Sequence, residues 1–206
     1  ITTIAPLSSS SASSSSPEWS WMILLTIASP SPTINDGFYY DFEFVKSISP
    51  EDLDKIEKEM QKIINSKSAI TKKLHSKEDV LKVFSSIGES YKESIINESE
   101  QEDNFQLYYQ ENDEFVDLCR GPHLPSLKHI GAFKLTKLAG AYWKGDSKNE
   151  MLTRIYGTAW KNEKDLNAYL HSIEEAEKRD HRKIGKEMNL FHFQEEAPGM
   201  VFWHPN

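Results

Sequence analysis

The chain has 206 residues, 38% of them hydrophobic and 27% charged, with a formal net charge of −8 and a pI near 5.4. That suits a soluble protein with one good core and room for a second small unit, and it argues against a non-specific nucleic-acid binder, which needs a basic face overall. A single cysteine excludes a disulfide framework and fits a reducing compartment.

Residues 1–33 do not read like the rest. Ser8 to Ser16 is nearly all serine. Such a tract cannot bury enough apolar area to offset its ordering entropy, so disorder is predicted. The apolar run from Trp19 to Ala28 is broken by Ser20 and Thr26 and is too short to span a bilayer. Ile1 to Pro17 contains no Lys or Arg, so the basic flank of a signal peptide is missing.

From Asn35 the pattern becomes that of a folded domain. Asn35-Asp36-Gly37 signals a turn, and Phe38 to Phe44 is aromatic and strand-like. Ser49-Pro50-Glu51-Asp52 opens a helix whose apolar stripe is Leu53, Ile56, Met60, Ile63 and Ile64. Ala69 to Leu74 is predicted as a short strand. Ser76 caps a second helix that Gly88 ends. Glu89-Ser90-Tyr91-Lys92 reads as a loop or the start of a strand, and Asn97 to Asn104 as a solvated acidic loop. Phe105–Tyr109 and Glu114–Cys119 form a hairpin around Glu111-Asn112-Asp113. Phe133–Leu138, Ala141–Trp143 and Met151–Thr158 are further strands, with Gly140 separating the first two. The middle is therefore α+β, with a mainly antiparallel sheet.

Asp165 to Met188 has the longest helical period, with Glu174/Lys178 and Glu175/Arg179 as i,i+4 pairs. It reads as one solvated helix joining two units. Leu190 to Trp203 is aromatic and resembles the opening of another domain.

The chemistry concentrates in Asp117-Leu118-Cys119-Arg120-Gly121-Pro122-His123, which holds the only cysteine. Gly121 and Pro122 oppose a helix, so a turn brings thiol and imidazole together. Both are metal ligands, and beside a carboxylate they can position and deprotonate water. Two ligands do not complete a zinc site. The plain alternative is a buried cysteine beside a histidine that caps a carbonyl.

Long stretches of the chain resemble bacterial-type threonine–tRNA ligases. They include Asn35 to Phe42, Asp117 to His123, Gly140 to Asp146, Arg154 to Trp160, Glu177 to Lys183 and Phe193 to Trp203. The resemblance runs from about Pro32 to Asn206. It implies the threonyl/alanyl-tRNA editing domain fold over 34–162, a long linker helix over 163–189, and the truncated opening of a class II synthetase domain over 190–206. Residues 1–33 are then a foreign low-complexity segment, from a frame shift, a gene-model join or a chimera.

The implied activity is hydrolysis of serine mischarged onto threonine tRNA. One methyl separates serine from threonine, about 1–3 kcal/mol of discrimination, so a second hydrolytic sieve is needed. The family's site has an H-x-x-x-H pair, a C-x-x-x-H pair, a lysine and an aspartate. Cys119 and His123 match the second pair, Asp117 the aspartate and Lys92 the lysine, a group able to stabilise an oxyanion. Tyr39, Tyr40 and Arg120 are candidates for substrate binding.

The H-x-x-x-H pair belongs upstream of Gly37, where this sequence has no histidine before His75. This chain is therefore expected to edit weakly and not to aminoacylate. No cofactor is implied for it. ATP, magnesium and zinc are implied for the full-length enzyme, whose binding motifs come after Asn206, so His192 and His204 are not metal residues. The implied partners are the threonine tRNA acceptor end and the rest of the synthetase, a homodimer through its catalytic domain. The implied setting is cytoplasmic or an organelle matrix, without membrane contact. Lys134, Lys137, Lys144, Lys148 and Arg154 make 132–160 locally basic, which suits either an acceptor stem or an ordinary solvated face. A free-standing alanyl-type deacylase and a non-catalytic remnant that binds tRNA ends are the competing readings.

Overall fold

The computed structural model describes residues 4–6, 33–34, 37–44, 48–110 and 115–205. The serine tract, the Trp19–Ala28 run and the two turns at 35–36 and 111–113 lie outside them. The chain divides into units Ile1–Asn162 and Glu163–Asn206.

The first unit holds two sheets. The larger comprises β1 (Ile4–Pro6), β2 (Thr33–Ile34), β3 (Gly37–Glu43), β7 (Ala132–Tyr142) and β8 (Met151–Trp160), in the order β1-β3-β8-β7 with β2 also on β3. The smaller is β4 (Thr71–His75), β5 (Phe105–Gln110) and β6 (Phe115–Leu118), antiparallel throughout. Two short strands border the stretch that contains the serine tract, at its two ends. Ile4–Pro6 runs parallel to Asp41–Glu43, and Thr33–Ile34 pairs with Gly37–Phe38. The edges of β3 offer unpaired N–H and C=O groups, and an extended neighbour satisfies them.

Phe38, Tyr40 and Phe42 alternate onto one face of β3 and are buried. Across them lies α1 (Leu53–Ser66), which buries the predicted stripe of Leu53, Ile56, Met60, Ile63 and Ile64. A short 3-10 turn, Pro50–Asp52, leads into it, and the Asp52 carboxylate accepts hydrogen bonds from Ser49 N–H at 3.0 Å and Ser49 Oγ at 3.1 Å. A second core forms on the smaller sheet from Phe105, Leu107 and Tyr109 with Val80, Phe84 and Ile96.

Those last three come from α2 (Lys77–Ile87) and α3 (Ser90–Glu98). Ser76 caps α2, its Oγ accepting from Asp79 N–H at 3.2 Å, and Gly88 ends it at φ +78°, a conformation that favours glycine. The loop or strand predicted at Glu89–Lys92 is instead the start of α3. A tertiary contact holds it, since Lys92 turns inward to a buried ion pair with Asp117.

The two strands predicted on either side of Gly140 are one, β7, because pairing with β8 runs unbroken past Gly140 to Tyr142. The irregularity lies earlier, as a bulge between Leu135 and Lys137. The Glu57 carboxylate takes the Leu135 N–H there at 2.7 Å and Lys134 Nζ at 2.8 Å.

In the second unit the single helix predicted over 165–188 is two, α4 (Glu163–Lys178) and α5 (His181–Glu187). Asp180 breaks it. Its backbone is extended, and its carboxylate accepts from Arg182 N–H at 2.9 Å, starting a new helix. Both i,i+4 pairs form, at 2.8 Å and 3.2 Å. β9 (Phe191–His192) and β10 (Phe202–Trp203) then pair antiparallel, with Phe191 against Trp203 at 5.4 Å.

Candidate functional site

The site grows from the pairing of β5 with β6. Tyr108 lies directly opposite Asp117. Alternation places Gln106, Tyr108 and Gln110 on one face with Phe115 and Asp117. The face is distinct from that of Phe105, Leu107 and Tyr109, which pack on the helices. Cys119 extends the ladder by one bond, its N–H donating to Gln106 C=O at 3.2 Å.

The chain then turns. Gly121 takes φ +62°, and the Gly121–Pro122 peptide is cis. Gly121 N–H donates to Cys119 Sγ at 3.4 Å. A side chain at Gly121 would collide with the Tyr108 hydroxyl, so glycine is required twice over here. The turn delivers His123 onto the Tyr108 ring, with ring centres 3.9 Å apart and planes tilted by 36°. The Tyr108 hydroxyl donates to Gln106 Oε1 at 3.3 Å.

Lys92 approaches from α3. Its ammonium is buried against the Asp117 carboxylate and lies 5.2 Å from the centre of the Phe84 ring. The same carboxylate accepts Leu118 N–H at 2.8 Å. Two opposite charges in a dry environment stay charged only with such partners.

Both His123 nitrogens are buried and have no hydrogen-bond partner among the described residues. Burial pushes the His123 pKa down to about 4, against a smaller upward pull from Asp117. The ring is therefore neutral at pH 7, with one lone pair and one N–H to offer. Burial, followed by the proximity of Cys119, raises the Tyr108 phenol.

The structure thus brings together Cys119, His123, Asp117 and Lys92. Tyr108, which links them, was missed, because an aromatic in a predicted strand reads as core. Its place opposite Asp117 was the available signal. Tyr40 is buried in the same apolar cluster as Tyr108 and the half-buried Cys119. Tyr39 is not brought there. It lies on the other face of β3, its ring 4.1 Å from the Arg154 guanidinium, and Arg120 is exposed.

The basic stretch is largely neutralised within the domain. Arg154 binds Asp41 through two bonds of 2.6 and 2.7 Å, Lys134 binds Glu57 and Asp54, and Lys144 binds Glu98. Only part of its charge is left for a polyanion.

Among the described residues no group of three or more His, Cys, Asp or Glu side chains could hold a metal ion. Cys119 and His123 supply two donors where zinc needs three or four, so they do not fit a zinc site by themselves. His192 and His204 do meet, Nδ1 to Nε2 at 2.7 Å, but as links in a hydrogen-bond chain. His204 Nδ1 donates to Asn189 C=O at 2.6 Å, so its Nε2 accepts from His192.

Residues 106–156, which carry β6, β7, most of β5 and β8 and every site member except Lys92, match the family described as threonyl and alanyl tRNA synthetase second additional domain. The chain therefore holds a domain of a kind found in two aminoacyl-tRNA synthetases. More particularly, it belongs with the bacterial threonine–tRNA ligases. It is 60% identical over 173 residues to the threonine–tRNA ligase of Hahella chejuensis, covering 84% of this chain and 27% of the relative. It is 54% identical over 175 residues to that of Marinobacter nauticus and 55% identical over 174 residues to that of Burkholderia lata, covering 85% and 84% of this chain. The chain spans about a quarter of the length of these relatives, 27% in each case.

Proposed function

We propose that the first unit is the post-transfer editing part of a threonine–tRNA ligase, which hydrolyses the ester of serine mischarged onto threonine tRNA. The observation that carries this is the buried cluster itself. A neutral, unpartnered imidazole and a thiol lie beside a buried ammonium–carboxylate pair, in a chain 54–60% identical to threonine–tRNA ligases. That identity favours threonine tRNA over alanine tRNA as the partner.

In this reading water attacks the ester carbonyl, the acyl–oxygen bond breaks, and serine leaves from the terminal ribose, which regains its hydroxyl. His123 holds the water through its lone pair, and Cys119 and Tyr108 fix the ring's position. Lys92 faces the developing oxyanion while Asp117 holds the ammonium in place. ATP, magnesium and zinc chemistry and dimer contacts belong to other parts of the longer relatives. The compartment follows protein synthesis, in the cytoplasm or an organelle matrix.

The test is release of serine from seryl-tRNA bearing the threonine anticodon, with threonyl- and alanyl-tRNA as controls. The whole chain should release serine slowly but above the spontaneous rate, and Cys119→Ala or His123→Ala should return it to that rate. Serine release unchanged by both substitutions would rule the site out.

A further inference from the structure

The cluster leaves a second buried side chain without partners. Both amide atoms of Gln110 are buried and unpaired among the described residues, and the residue is 1% exposed. Gln110 ends β5, opposite Phe115. It lies on the face of Tyr108, two residues along the strand from the ring that carries His123. Asp117 is its diagonal neighbour across the strand pair, a spacing that long side chains bridge. Native interiors seldom leave a primary amide unpaired, because the group has lost its water and gained nothing. A polar ligand reaching this face would supply the missing partner.

We propose that Gln110 is a specificity-determining residue of this site, its amide reading the side-chain hydroxyl of the aminoacyl group. The inference rests on the deacylase reading above. An amide presents a donor and an acceptor on neighbouring atoms, and a hydroxyl is both acceptor and donor. An alanyl group offers neither and leaves the amide unpaired. A site with buried polar groups rejects such a ligand more strongly than a difference in size does.

The probes are the non-hydrolysable seryl and alanyl amides of 3′-amino-3′-deoxyadenosine, titrated calorimetrically into the full chain. The seryl amide should bind about tenfold more tightly than the alanyl amide, as one hydrogen-bonded group requires. Gln110→Met and Gln110→Leu should bring the two within about twofold by weakening the seryl amide alone. Their melting temperatures should be unchanged or raised, since an unpaired amide has been removed. Equal binding of both amides by the unaltered chain overturns the proposal without need of any variant. So does a seryl preference that survives in Gln110→Met, or a sharp loss of stability there, which would reveal a structural partner. In those cases the deacylase reading stands. Binding of neither amide to the unaltered chain overturns both.

Discussion

His123 rests on the Tyr108 ring with both nitrogens buried, and that burial holds its pKa near 4. An unfolded histidine titrates near 6.5, so between those values the unfolded chain binds more protons than the folded one. Stability contributed by the neutral ring is fully present above about pH 6.5 and is lost as the pH falls towards 4. The difference corresponds to about 3 kcal/mol, spread over that window. Urea titrations from pH 7.5 to 4 should show the decline, and His123→Gln should flatten it. A slope identical in the two proteins would assign the acid sensitivity to other groups. The same ring state matters for chemistry, because a protonated His123 has no lone pair left for water.

At the scale of elements, the buried pair of Lys92 and Asp117 ties α3 to β6. Lys92→Met strands a carboxylate in the interior, which costs about 3–5 kcal/mol. The double variant Lys92→Met/Asp117→Leu should recover at least half of that loss in urea midpoint, but no serine release. Recovery of release as well would make the pair a structural strut only. The pair also explains why α3 was illegible in the sequence. Its inward position carries a lysine, so the apolar period that exposed α1 and α2 is interrupted where α3 faces the core. Elements with unbroken patterns were legible: the β3 alternation, the α1 stripe, and the Ser76 and Gly88 ends of α2. As candidates, Cys119 and His123 were legible from their own spacing and Asp117 and Lys92 from the family resemblance, whereas Tyr108 and Gln110 were not. Their role depends on which strand lies opposite, and pairing register is a tertiary property. The break at Asp180 escaped notice for a related reason, since a lone capping carboxylate amid charged residues looks like more surface charge.

Across the whole molecule, the site members with structural support all lie in the first unit, and they account for one histidine. The resemblance calls for an H-x-x-x-H pair before Gly37, and the first histidine in the sequence is His75. General acid–base groups contribute about 100- to 10,000-fold, and a badly held water forfeits much of that. Replacing residues 1–32 with a segment that bears H-x-x-x-H should therefore raise serine release by about 100-fold or more. Cys119→Ala or His123→Ala in the rebuilt chain should abolish the gain, while threonine release stays near background. A rebuilt chain no faster than the original would mean that the described residues already hold the complete site. His75 could not then be the missing group. It pairs with Phe105 on the helix-facing side of the smaller sheet, and its Nε2 is 3.1 Å from the Tyr109 hydroxyl. His129, exposed at the end of the 3-10 turn Leu127–His129, would be the next residue to replace.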